Sequence, residues 1–115
     1  MQYLLLIYDE EKKFAQMSQP ELAKLMADYA KFSEELKAAG KLVGGNRLQS
    51  VANATTVRIR DGKTQITDGP FAETREQLGG YYLIDAKDLD DATAWAAKIP
   101  SAKIGSIEVR PLFAM

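Results

Sequence analysis

The run Gln-Tyr-Leu-Leu-Leu-Ile-Tyr, residues 2–8, decides the fold because it is apolar at successive positions instead of alternate ones. A strand with one wet face alternates apolar and polar residues, whereas a strand covered on both faces is apolar throughout. The run therefore predicts a central strand of a sheet that needs a covering layer on each side.

A helix is predicted after this strand, with residues 9–13 forming a charged loop between them. Ser18 and Glu21 have the spacing of a capping box, and Pro20 is tolerated in a first helical turn. Gly40 is placed to end the helix in the left-handed conformation. Apolar residues recur at three- and four-residue steps and predict one buried stripe, formed by Leu22, Leu25, Met26, Tyr29, Phe32 and Leu36.

Strands are predicted at residues 41–48, 55–60, 63–67, 80–85 and 107–112. Asp61-Gly62 lies between the second and third of these and is a strong signal for a tight hairpin. Asp88 is the expected cap of a second helix, which ends before Pro100. The buried stripe of that helix is expected to comprise Leu89, Ala92, Ala96 and Ile99.

This order of elements predicts an α+β fold, a ferredoxin-like βαβ–βαβ sandwich with an inserted hairpin, built by residues 1–115 as one domain. Right-handed crossovers place both helices on the same face of the sheet. The other face would be apolar and bare, so we expect a homodimer that packs sheet to sheet as a dimeric α/β barrel. The alternative is that the hairpin at 55–67 folds back over this face.

Composition excludes several classes of function. The 115 residues are 46% hydrophobic and 27% charged with a net charge of −1, so a dedicated nucleic-acid binder is not expected. The chain has no cysteine and no histidine, so no metal site or cofactor is expected and proton chemistry would rely on Asp, Glu, Tyr or Lys. The apolar run at 2–8 is too short to span a membrane and follows no basic segment, so a cytoplasmic location is expected.

The segment 67–76 is richer in polar chemistry than a simple connection requires. Asp68 is the candidate catalytic acid or base and a candidate ligand-binding residue; alternatively, its carboxylate closes an Asx turn at Gly69-Pro70. Phe71 either stacks on a ligand or anchors the loop in the core. Glu73 is either a second carboxylate that faces Asp68 or part of a solvated loop.

Two further candidate ligand-binding residues lie on predicted strands. Arg47, near the glycine pair Gly44-Gly45, either binds an acidic ligand or forms a salt bridge at a strand end. Tyr81 either lines a pocket with its hydroxyl group or packs in the core or an interface.

The motif Asp68-Gly69-Pro70-Phe71 and the residues up to Tyr82 resemble the signature of the DGPF proteins, a branch of the YCII-related family. Residues 35–40, 55–58, 95–97 and 107–111 fit the same pattern, so the resemblance covers nearly the whole chain. It implies a ferredoxin-like fold and dimeric α/β barrels. Some DGPF proteins are encoded beside, or fused to, sigma factors of the extracytoplasmic-function type, which implies a sigma-factor partner.

Some YCII-related members are thought to be enzymes built on a His–Asp pair, and this chain has Tyr29 and Ile99 at the corresponding positions. The first hypothesis is therefore a regulatory dimer that binds a small ligand or a protein partner. The second is a cofactor-free lyase or isomerase that uses Asp68 as acid or base, with Arg47 or a tyrosine as an electrostatic helper. A third is a purely structural interaction module.

Overall fold

A computed structural model describes residues 1–114, and its architecture confirms the predicted mixed α+β class. The larger sheet is antiparallel and has the strand order β2-β5-β1-β6, which is the ferredoxin-like order once the inserted hairpin β3–β4 is left aside. The strands are β1 (Gln2–Asp9), β2 (Leu42–Arg47), β3 (Thr55–Arg60), β4 (Lys63–Asp68), β5 (Gln77–Asp85) and β6 (Ser106–Pro111). The helices are α1 (Glu11–Ala15), α2 (Gln19–Ala38) and α3 (Leu89–Ala96), with 3₁₀ turns at Val51–Asn53 and Pro100–Lys103.

The central position of β1 is confirmed, because β1 pairs with β5 on one side and with β6 on the other. Its alternate residues Tyr3, Leu5 and Ile7 are buried on the face that carries the helices. Leu5 is fully buried there, together with Leu36 of α2. The core is completed by Phe32, Ile84, Ala86, Ala92, Ala96 and Ile99.

Helix α2 begins and ends as predicted. The Ser18 hydroxyl accepts a hydrogen bond from the Glu21 backbone N–H, and the Glu21 carboxylate accepts one from the Ser18 N–H, both at 3.2 Å. Gly40 follows the helix with φ of +71°, the left-handed conformation that glycine adopts without strain. Only the second half of the predicted stripe is buried, at Phe32 and Leu36, whereas Met26 and Tyr29 border a cavity and are half-buried.

Two predictions of local structure were wrong. Residues 9–13 are not simply a loop, since α1 begins at Glu11, whose backbone N–H donates to Oε1 of Gln77 at 2.9 Å. This long-range bond satisfies one of the free N–H groups of the first turn, and sequence periodicity does not reveal it. Leu89 is 54% exposed because it is the first residue of α3, whose buried face starts at Ala92.

The second face of the large sheet, here called the open face, is formed by Leu4, Leu6, Tyr8, Leu78, Tyr81 and Leu83. These residues are only half-buried. The molecule is 18 Å thick, which leaves room for the sheet and one helix layer but not for a third layer. The hairpin does not cover this face, contrary to the alternative, since Val57 is 60% and Ile66 is 69% exposed.

Among the described residues, no helix is both long and apolar enough to cross a membrane.

Candidate functional site

A cavity of about 1090 Å³ lies between α2, α1 and strands β2 and β5. Helix α2 contributes Met26, Tyr29, Ser33 and Lys37, which recur at three- and four-residue steps and therefore share one helix face. The glycines of β2 form part of the opposite wall. Small-molecule sites have volumes of roughly 300–1,000 Å³, so this cavity is large enough for a ligand.

Two tyrosine–serine pairs lie at the cavity. The hydroxyl groups of Tyr29 and Ser101 are 2.5 Å apart, and those of Ser33 and Tyr82 are 2.8 Å apart. Tyr29 and Ser33 are one helical turn apart on α2, so the two pairs lie side by side. Ser101, in the 3₁₀ turn after α3, is fully buried. The pairs therefore supply fixed hydroxyl groups in an otherwise mostly apolar region.

Asp9, at the end of β1, is the least expected residue of the cavity wall. Its side chain is buried, with the residue 7% exposed, and among the described residues its Oδ1 atom has no hydrogen-bond partner. Unsatisfied buried carboxylate oxygens are rare in folded proteins because losing water is costly. A residue of this kind beside a cavity is a candidate for a functional role.

Burial raises the pKa of the Asp9 carboxyl, the nearby Ser101 hydroxyl opposes the rise, and the charge of Glu76 adds to it. None of the described hydrogen bonds joins the side chains of Ser101 and Asp9. Ser101 therefore lowers the pKa of Asp9 through its proximity and not through a regular hydrogen bond. Burial also raises the pKa of Tyr29 to about 12, against the effect of its hydrogen bond with Ser101. Tyr29 is therefore protonated at neutral pH, and the Asp9 carboxyl holds its proton to a higher pH than an exposed carboxyl does.

A close backbone contact holds the Asp9 side chain in place. A Cβ atom at Gly105 would lie 2.1 Å from the Tyr8 carbonyl oxygen and 2.5 Å from Oδ1 of Asp9. Only glycine permits this approach, since real Cβ contacts are not shorter than 3.0 Å. The Gly105 backbone is in turn fixed by its N–H, which donates to the Ser101 carbonyl at 2.7 Å.

The structure brings two of the sequence-predicted site residues to this cavity. Arg47 lines it, and its guanidinium group donates to the Met26 sulfur at 3.8 Å. Tyr81 also borders it, and the Tyr81 hydroxyl accepts a hydrogen bond from the side chain of Asn46 at 2.9 Å. The register of β1 and β5 pairs Tyr81 with Leu6, so the Tyr81 ring lies on the open face.

The other predicted residues lie outside this cavity: Asp68 is the exposed last residue of β4, and Phe71 and Glu73 are on the exposed segment that follows. The anticipated Asx turn is not formed among the described residues, because no backbone N–H donates to the Asp68 carboxylate and Pro70, two residues on, has no N–H. Phe71 does not anchor the loop in the core, since it is 78% exposed. The catalytic role of Asp68 and the ligand-binding roles of all three residues stay predictions.

Sequence reasoning missed Asp9, Ser33, Tyr82 and Ser101 as members of one site. Asp9 was the only one with a usable signal, a carboxylate directly after an apolar central strand, where a charge has little room for water. The serines gave no signal, because their partners are 72 and 49 residues away in the chain.

Comparison with known proteins identifies a family, a relative of similar sequence and a solved structure of similar fold. The family model of the YCII-related domain matches residues 1–115. An uncharacterized protein from Rhizobium meliloti (strain 1021) is 41% identical over 114 residues, which is 97% of this chain and 92% of the relative. The solved structure of 5-chloro-2-hydroxyhydroquinone dehydrochlorinase from Burkholderia phenoliruptrix AC1100, in complex with 2,5-dihydroxybenzoquinone, is similar with a TM-score of 0.53. It is 14% identical, and the match covers 98% of this chain and 94% of the other. At that identity the likeness concerns the fold alone.

Proposed function

The chain belongs to the YCII-related family, and from this premise we propose that it is a cytoplasmic homodimer that binds a small molecule in the cavity beneath α2. Its role is regulatory, with the bound ligand controlling the contact with a protein partner. The motif Asp68-Gly69-Pro70-Phe71 supports its assignment to the DGPF branch. A sigma factor is the partner that this assignment favours.

One observation carries the ligand-binding proposal: part of the apolar stripe of α2 faces a large cavity. Met26 and Tyr29 border this space and are only half-buried. Apolar side chains that line an unfilled cleft lack packing contacts with other protein atoms. A bound molecule would restore those contacts, and its affinity would stabilise the folded protein by mass action.

The dimer proposal is supported by the exposed area and the dimensions of the chain. The accessible surface is 8229 Å², whereas a compact monomer of 12.7 kDa is expected to expose about 6,200 Å². The radius of gyration is 16.2 Å, against an expected value of roughly 13 Å for this length. The excess area is comparable to the area that one subunit buries in a stable dimer.

A second copy of the chain would cover two exposed apolar surfaces. One is the open face, and the other is the face of the hairpin on which Val57 and Ile66 form a cross-strand pair. The residues of the open face are partly exposed, and Val57 and Ile66 are mostly exposed. Sheet-to-sheet packing of two copies about a two-fold axis covers the open face without any further protein.

A screen of small molecules by thermal shift tests the ligand-binding proposal, with a cavity-blocking variant as the decisive comparison. Ala15→Trp places a large ring at the cavity wall, whereas Ala23→Trp places the same ring on an exposed part of α2 outside the cavity. Ligands that raise the melting temperature of the wild type and of Ala23→Trp should fail to raise that of Ala15→Trp. Equal shifts in all three proteins would place binding elsewhere and contradict the proposal.

A second candidate function, a cofactor-free lyase or isomerase, is favoured by the buried carboxyl of Asp9. The predicted acid or base, Asp68, is exposed outside the cavity, while Asp9 lies on the cavity wall beside Tyr29 and Ser101. A buried carboxyl group on a cavity wall, with its pKa raised by burial, is a candidate group for proton transfer. The fold likeness to a dehydrochlorinase agrees with this candidate without assigning its reaction.

The two functions are separated by Asp9→Asn, which preserves the shape of the side chain and removes its acid–base chemistry. If the protein is an enzyme, turnover of any identified substrate falls by about 10²-fold or more while ligand binding persists. If the protein is a binding module, the ligand-induced thermal shift of Asp9→Asn matches that of the wild type and no turnover is found in either. Asp68→Asn serves as the matched carboxylate control outside the cavity.

A further inference from the structure

The cavity wall contains cationic side chains, which a purely apolar ligand would not require. The three cations that line it are Lys12, Lys37 and Arg47. None of them takes part in an ion pair within residues 1–114, where the paired cations are Lys13, Lys24, Lys41, Arg75, Arg110 and the N-terminal amine.

The two carboxylates of the wall do not neutralise these cations. Both oxygens of Glu11 are occupied, since Oε1 accepts from the Ser50 hydroxyl at 2.8 Å and Oε2 from the Val51 N–H at 3.1 Å. Asp9 is buried, and one of its carboxylate oxygens has no hydrogen-bond partner among the described residues. With three cations against two carboxylates, the cavity wall carries an excess of positive charge, although the whole chain has a net charge of −1.

Two of the cations lie towards the same end of the cavity. Arg47 contacts Met26, at the N-terminal half of α2. Lys12 follows Glu11, whose carboxylate is hydrogen-bonded to Ser50 just after β2. Lys37 lies on the same face of α2 at its other end, roughly 16 Å from Met26 along the helix axis.

The wall between these ends is mostly apolar or aromatic. It contains Ile7, Tyr29, Leu42 and Tyr82. Within residues 1–114, the guanidinium group of Arg47 has only the Met26 thioether as its partner, which leaves most of its donors free for an anionic group. The planar guanidinium group of an arginine can bind a carboxylate through two parallel hydrogen bonds.

We propose that the ligand of this cavity is an amphipathic small-molecule anion, with a carboxylate-type head at Arg47 and an apolar or aromatic body along α2. This inference rests on the proposed ligand-binding function and narrows it to a chemical class. Concave sites lined by one sign of charge concentrate ions of the opposite sign, which also accelerates binding.

Isothermal titration calorimetry with 4-phenylbutyrate and its neutral analogue 4-phenylbutyramide tests the inference. The two probes have nearly the same shape and differ in charge. We expect the carboxylate to bind about tenfold more tightly than the amide, the ratio that corresponds to about 1.4 kcal/mol. The preference should weaken as salt rises from 0.1 M to 1 M, because the screening length falls from about 10 Å to about 3 Å.

Arg47→Gln should remove most of the preference for the carboxylate while leaving the affinity for the amide unchanged. Lys24→Gln is the matched control, because Lys24 is an exposed cation of α2 that lies outside the cavity and pairs with Asp28. A probe preference that is retained in Arg47→Gln overturns the inference. Equal binding of both probes to the wild type also overturns the inference but leaves the proposed ligand-binding function standing. The absence of binding by both probes at millimolar concentration overturns the inference and the proposed function together.

Discussion

At the scale of single residues, Asp9 and Gly105 form one close contact at the end of β1. Asp9 loses water without gaining a full set of hydrogen bonds. Gly105 allows the backbone after the 3₁₀ turn to pass directly over that carboxylate.

Asp9→Asn should change the pH dependence of stability. The folded state raises the pKa of Asp9, so the wild type loses stability as pH rises from the usual carboxyl value of 3.8 through the higher folded value. We expect the variant to gain stability relative to the wild type over that interval, and the difference to vanish below it. Urea unfolding between pH 3 and pH 7 measures this trend.

Asp61→Asn is the control for that series, because this substitution makes the same change of atoms at an exposed position, the turn of the hairpin. A variant that becomes less stable than the wild type as pH rises would show that the folded protein favours the charged form of Asp9.

Gly105→Ala should destabilise the protein by about 1–3 kcal/mol, the usual cost of forcing an extra carbon into a packed site. The new Cβ would overlap the Tyr8 carbonyl, a backbone atom that cannot move without disturbing β1. Gly44→Ala provides the comparison, since a Cβ there meets no atom within 4 Å. Equal free energies of unfolding for the two variants would refute the close approach.

At the scale of elements, the two halves of α2 differ in how much of their surface is buried. Its C-terminal half, with Phe32 and Leu36, closes the core against the sheet, and Phe32 packs edge-on against Tyr82 with the ring centroids 5.2 Å apart. Its N-terminal half contains no buried residue and depends on its cap for order, because little buried surface stabilises it.

Ser18→Ala should therefore cost about 1 kcal/mol of the free energy of unfolding, because the Glu21 N–H loses its acceptor. Hydrogen exchange of the first turns of α2 should accelerate more than exchange in the second half of the helix. Gln19→Ala is the control, since Gln19 is exposed and its side chain makes no described hydrogen bond. A loss of protection spread evenly over α2 would contradict the separation into two halves.

The elements were largely predictable because their signals are local. The capping box at Ser18, the turn at Asp61-Gly62 and the stop at Gly40 each depend on residues close together in the chain. The site was less predictable because it is assembled from β1, α2 and the turn after α3, which meet only in the folded chain. Arg47 and Tyr81 were found because they flank glycines on strands that border the cavity, whereas Asp68 attracted attention through a motif that lies elsewhere.

At the scale of the whole molecule, the chain is a thin two-layer structure whose sheet is covered by helices on only one face. The apolar pattern of residues 2–8 required cover on both faces, and the helices supply it on only one. The hairpin projects and leaves Val57, Ile59 and Ile66 exposed, which monomeric proteins rarely tolerate in a contiguous patch. Both features are explained by a second copy that packs on the open face.

Leu6→Lys should separate the proposed dimer, because it places a charge at the centre of the open face opposite Tyr81. The melting temperature of the wild type should rise with protein concentration, whereas that of the variant should not. Lys31→Gln, an exposed change on α2, should behave like the wild type. A variant that retains the concentration dependence would show that the subunits associate through another surface.

The central claim, that a second copy covers the open face, is tested most directly by sedimentation equilibrium of the purified protein at micromolar concentration. We predict a single species of twice the chain mass of 12.7 kDa. A stable species of one chain mass at that concentration would contradict the account.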